Sequence, residues 1–188
     1  MNPDQRNVTL HTPSKVYTGL IDVGNESLRT IDIFNSASMY WVNPAEKSFE
    51  DALLLHKAKV MLTGDVKLGD FEKLQVKLAD ISLFYDSLSS AGDDKEKARA
   101  AMLKAKTKEE SSTVKLITHT RGNGFFYIQG VFHGLFKSKS KQRYIPLTQA
   151  NVIAVIRAGE KWVKQKVVIE NSFVGVSTQH IESCFLSN

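Results

Sequence analysis

The chain has 188 residues, 42% of them hydrophobic and 24% charged, proportions that exclude wholesale disorder and collagen-like repetition. No apolar run approaches the roughly 18 residues of a membrane-spanning helix, and the polar stretch Met1 to Arg6 lacks the apolar segment of a secretion signal. A single cysteine, Cys184, excludes an internal disulfide and a cysteine-rich zinc site, so the expectation is a soluble, cytoplasmic globular protein that needs no cofactor.

The formal net charge of +5 is unevenly spread. Residues 1–92 carry 9 Lys and Arg against 12 Asp and Glu, a net −3, while residues 113–188 carry 10 against 3, a net +7. Such asymmetry attracts nucleic acid, anionic lipid headgroups, acidic proteins or the chain's own acidic half, or it serves solubility alone.

In chain order, Asn7 to Thr12 and Val16 to Leu20 read as short strands. Ser27 to Asn35 places Leu28, Ile31 and Phe34 on one face of a short helix capped by Ser27. Leu55 to Val60 is again strand-like. Residues 71–90 fit both a helical stripe and a β alternation, and the repeat described below favours strand over 73–86. From Asp93 to Glu110, 11 of 18 residues are charged, and Ala98, Ala101, Met102 and Ala105 form a narrow apolar stripe. That pattern predicts a solvated connector helix. Beyond it, residues 124–136 are aromatic and β-branched, and Tyr144–Leu147, Val152–Arg157 and Trp162–Glu170 continue a series of short strands. The spacing of His180 and Cys184 predicts a short C-terminal helix starting near Ser177.

The segments on either side of the connector look alike. Asn7–Thr12 recurs as Thr113–Thr118, Val16–Leu20 as Tyr127–Val131, Leu55–Val60 as Leu147–Val152, and Val76–Asp80 as Val167–Asn171, with offsets of 106, 111, 92 and 91. Four matches in order predict a duplicated unit; shared composition is the rival explanation. The expected fold class is mainly β, with two similar small antiparallel β barrels or sandwiches in tandem joined by a polar helix. The corresponding domains are 7–90 with an inserted short helix, a linker at 91–112, and a basic 113–188. Gly19, Gly130 and Gly134 suit the bulges or sharp bends that small barrels need.

Arg29-x-x-Asp32-x-x-Asn35, followed by the apolar strand Ala58 to Leu62, resembles an uncharacterised bacterial small-β domain family, usually a single short module. The resemblance covers about residues 7–65, and in the second half it rests on the strands alone. It implies a bacterial origin and a β fold and leaves the chemistry open.

Arg29, Asp32 and Asn35 form a polar stripe that could hold an anion or, as an ion pair and cap, fasten the helix to a barrel edge. Arg121-Gly-Asn-Gly-Phe-Phe-Tyr-Ile128 is a near miss to an RNA-recognition consensus, and alternation puts Phe125 and Tyr127 on one face and Phe126 on the other. In an extended strand Lys137, Lys139, Lys141 and Arg143 would form a comb of cations at roughly 6–7 Å spacing, matched to a phosphate backbone. At a hairpin tip the same residues would only solubilise an edge. His180 and Cys184 lack the partners of a zinc site. No Gly-x-Ser-x-Gly, Walker loop, His-Glu-x-x-His or dinucleotide fingerprint is present. The functional expectation is a non-catalytic binding or scaffolding module acting on a protein partner or by self-association of unlike halves. The alternative is a sequence-nonspecific nucleic-acid binder using the basic second half. Whether the +7 gathers on one face or disperses discriminates the two.

Overall fold

The computed structural model describes residues 5–23, 29–36, 40–43, 48–63, 65–86, 112–120, 122–132, 142–169 and 173–187. The fold is mainly β. Among the described residues one helix, α1 (Thr30–Ser36), accompanies twelve strands. The first half holds β1 (Gln5–His11), β2 (Lys15–Asp22), β3 (Tyr40–Asn43), β4 (Ser48–Leu62), β5 (Lys67–Lys77) and β6 (Leu83–Asp86). The second holds β7 (Ser112–Thr118), β8 (Gly124–Phe132), β9 (Tyr144–Ala158), β10 (Lys161–Val167), β11 (Val174–Ser177) and β12 (Ile181–Ser187).

Every ladder is antiparallel, in the order β12-β7-β8-β9-β11-β6-β1-β2-β4-β3, with β5 added to β4 and β10 to β9. The path is open and does not close into rings. Period-two alternation drives it: β8 buries Gly124, Phe126, Ile128, Gly130 and Phe132 and leaves the intervening residues half-exposed.

Apolar faces meet in two clusters. One gathers Val8, Leu10, Leu55 and Phe84 with Ile31 and Phe34 of α1; the other gathers Val114, Leu116, Ile128, Leu147, Val152 and Val176. Tyr144 of the second half sits in the first cluster, and Leu83 of the first half sits in the second. Each half thus seals the other's core, joined where β6 pairs with β11.

Four strands of each half, β6-β1-β2-β4 and β12-β7-β8-β9, run in the same order and in matching register. Val8 opposes Gly19 as Val114 opposes Gly130. Tyr17 opposes Val60 as Ile128 opposes Val152, and each ladder then shifts at a bulge. At the bulges Lys57 and Gln149 have φ of 49° and 51°. A Cβ on Gly19 would lie 3.0 Å from the His56 carbonyl oxygen, and one on Gly130 3.0 Å from Leu147 Cβ. In both halves only glycine lets the crossing strands approach so closely.

Several expectations are corrected. The C-terminal helix is absent: Thr178–His180 is a single 3-10 turn, and Ile181–Ser187 is a strand on β7. Residues 73–86 are not one strand, because a 3-10 turn at Leu78–Asp80 separates β5 from β6. The fourth sequence match pairs the wrong residues. Val76 opposes Leu53 as Val176 opposes Ile145, so Val76 corresponds to Val176 and not to Val167. The single strand β5 is represented in the second half by two, β10 and β11. Ser27, Leu28, Gly134, the connector helix over 93–110 and the boundary at 91–112, apart from Ser112 itself, lie outside the described residues.

Candidate nucleic-acid interface

The outer face of the second half is built by the register of four strands. Ile117, Tyr127, Ile153 and Lys166 form one row across β7, β8, β9 and β10; Phe125, Val155 and Lys164 form the next. Arg157 opposite Trp162 extends the face, and Lys115 opposite Gln129 completes it at the other end. With strands about 4.8 Å apart, each row runs from an aromatic ring across an aliphatic residue to a lysine about 10 Å away. Lys164 and Lys166 are two residues apart on one strand, a step of about 6.6 Å.

Trp162 is 51% exposed and meets Phe125 at 5.8 Å between centroids with a 60° tilt. The ring is thus propped from one side and open on the other. Lys115 lies 5.8 Å from the centroid of Phe185 on β12, a cation–π arrangement. Of the second half's described cations, Lys115, Arg157, Lys164 and Lys166 share this face, and among the described residues its positions on β7–β10 hold no Asp or Glu. The first half differs: Val16 stands where Tyr127 does, opposite Met61 in place of Ile153.

Lys137, Lys139, Lys141 and Arg121 lie outside the described residues. Arg143 is instead at the junction of the halves, where Nη2 is ion-paired with Asp51. They line a cleft of about 290 Å³ with Leu78, Ala79, Tyr144, Ser177 and Gln179. Arg29 and Asp32 form a bidentate pair, 2.7 Å for each bond, on the exposed surface of α1. Asn35 fixes α1 to the second half: its amide donates to the Tyr144 carbonyl at 3.2 Å and accepts from the Tyr144 amide at 2.9 Å. The Tyr144 hydroxyl donates to the Leu78 carbonyl at 2.7 Å, and burial pushes its pKa up.

His180 and Ser82 imitate a nucleophile–base pair. Nε2–H of His180 donates to the Ala79 carbonyl at 2.8 Å, which leaves Nδ1 to accept from the Ser82 hydroxyl at 2.7 Å. The residues are only 1% and 3% exposed, so no substrate reaches them, and the pair fastens one half's 3-10 turn to the other's. No group of three or more His, Cys, Asp or Glu able to hold a metal occurs among the described residues, and none of their helices is long and apolar enough to cross a membrane.

Phe125 and Tyr127 do share a face, as alternation requires, but sequence reasoning missed Trp162, Lys164 and Lys166. The signal was present: Trp162-x-Lys164-x-Lys166 is itself a period-two comb. Comparison with protein-family models, with curated proteins and with solved structures finds no match to this chain.

Proposed function

We propose that the protein is a non-catalytic cytoplasmic binding module, made of two similar antiparallel β units, whose second half binds single-stranded nucleic acid without reading its sequence. One observation carries the reading: Trp162, Phe125 and Tyr127 lie on the same sheet face as Lys115, Arg157, Lys164 and Lys166. Bases stack on exposed aromatic rings whatever their identity, and cations beside them track the phosphates. The charge distribution favours this over a dispersed, merely solubilising role, because four positive groups share one face without an intervening carboxylate on those strands among the described residues.

The experiment is fluorescence anisotropy with a labelled oligothymidylate, compared between the native chain and Lys164→Ser/Lys166→Ser. Three phosphate contacts, from Arg157, Lys164 and Lys166, give a slope of log K against log salt near −2 on a single strand. The double variant should flatten that slope to near −0.7 and still unfold cooperatively, because exposed lysines contribute little to stability. Equal affinity and slope in both proteins would refute the assignment.

A further inference from the structure

The internal β6–β11 junction is head-to-tail, and among the described residues its two counterpart edges pair with no further strand. In the first half β6 follows the 3-10 turn and pairs with β1; in the second, β12 follows the corresponding turn and pairs with β7. Leu10 opposes Phe84 as Leu116 opposes Cys184, so β12 is the counterpart of β6. Leu55 opposes Leu74 as Leu147 opposes Val174, so the end of β5 is the counterpart of β11. The junction uses β6 of one half and β11 of the other, in the register Phe84↔Gly175 and Leu83↔Val176. Among the described residues, β12 has only β7 as partner, and the end of β5 only β4.

We infer that a second copy of this chain fills these edges, with β12 of one copy adding to the end of β5 in the next, in the register Cys184↔Gln75 and Ser183↔Val76. An edge strand's unpaired N–H and C=O groups make such addition favourable, and three features favour a copy of the chain as the occupant.

Volume is complementary. Inside the molecule the ring of Phe84 lies where a Cβ on Gly175 would be, 2.3 Å from it. At the open edges the large and small residues exchange sides, with Cys184 for Phe84 and Gln75 for Gly175.

Apolar surface is left uncovered at the edge: Phe185, 59% exposed, corresponds to half-buried Tyr85 and would come opposite partly buried Leu74.

Charge is also complementary. Asp51 on β4 and Arg143, the residue just before β9, hold corresponding places and pair across the internal junction. Repeating the junction between copies sets Arg143 of one against Asp51 of the next, opposite in sign, while each group also holds its partner within its own chain. The buried hydrogen bond between Ser82 and His180 has no equivalent there, since this register sets Glu182 opposite Lys77 and near Asp80, so this junction is weaker than the internal one and reversible. A head-to-tail contact of this kind is heterologous, extending into rings or filaments and not stopping at a symmetric pair.

Cys184 being the only cysteine, the register is testable by cross-linking. Wild-type protein is mixed with the Gln75→Cys/Cys184→Ser variant under mild oxidation, both positions being exposed in the single chain. Cross-strand neighbours in this register stand about 5.5 Å apart at Cα, within disulfide reach. The expected product is a mixed disulfide between residue 75 of one copy and residue 184 of the other, dominating over both like-with-like dimers. A Gln165→Cys/Cys184→Ser control should give no such excess, and Gln75→Cys alone should give a ladder of covalent oligomers. Statistical mixing of the three dimers, or a monomer at every concentration in sedimentation, would overturn the inference. Oligonucleotide binding by a monomer would leave the nucleic-acid reading intact while removing this one.

Discussion

Asp51 and Arg143 lie 92 residues apart at corresponding positions of the two halves, and they join in an ion pair across the junction. The corresponding position is acidic in the acidic half and basic in the basic half, so the asymmetry of charge is used to hold unlike units together. Both side chains are about one-third exposed, and Nη1 of Arg143 is buried without a partner among the described residues.

Arg143→Ala is therefore expected to cost about 1–2 kcal/mol, mostly by stranding Asp51. The exchange Asp51→Arg with Arg143→Asp should recover more than half of that loss. Urea unfolding of the two single variants and the exchanged pair measures the coupling.

Gly175 is required by Phe84. The ring is stacked on Phe34 at 3.7 Å between centroids and edge-on to Tyr144 at 5.3 Å, so it has no room to withdraw. Gly175→Ala should destabilise by about 1–3 kcal/mol through overpacking. Combining it with Phe84→Leu should cost less than the sum of the two single changes, as a double-mutant cycle in urea would report.

His11 reports on burial at the same junction. It lies between Tyr85 and Phe126, 5.7 Å from each ring centroid, and desolvation lowers its pKa from 6.5 to about 4. The unfolded chain takes up the proton that the folded chain refuses. Stability from this group is thus complete above about pH 6.5 and falls as pH drops toward 4 and below. Between about pH 7 and about pH 5 the loss is about 2 kcal/mol. Comparing urea midpoints of the native chain and His11→Phe at the two pH values isolates it: the native chain should lose about 2 kcal/mol more than the variant.

Lys57 and Gln149 hold the left-handed conformation at corresponding bulges. That conformation is strained for any residue with a Cβ. Lys57→Gly and Gln149→Gly should each stabilise by up to about 1 kcal/mol, less the added entropy of the unfolded chain. Thermal unfolding should show both midpoints rising together; a fall in either would mean that the side chain contributes more than the strain costs.

The first three sequence matches recur as equivalent rungs because their glycines and β-branched residues answer a physical demand. Gly19 and Gly130 each sit against a crossing strand, and Val60 and Val152 each fill a core. The match of Val76 with Val167 answered none, since valines recur throughout any β sequence. A break in one strand had moved the true counterpart to Val176. Four-residue spacing between His180 and Cys184 suggested a helix, whereas tertiary pairing with β7 makes the segment a strand. The candidate interface was the least legible part. Lys115, Arg157, Lys164 and Lys166 are scattered along the chain and become neighbours only through strand register.

Trp162 gives the most direct test of nucleic-acid binding, because the ring assigned to stacking is also a reporter. The chain has two tryptophans, so a Trp41→Phe background leaves Trp162 as the only one. Titrating that protein with oligothymidylate should quench its emission saturably, and added salt should reverse the quenching along the same slope as the affinity. Lys164→Ser/Lys166→Ser in the same background should shift the midpoint to higher oligonucleotide concentration. Emission unchanged at oligonucleotide concentrations that saturate binding in anisotropy would place the nucleic acid elsewhere and contradict the account.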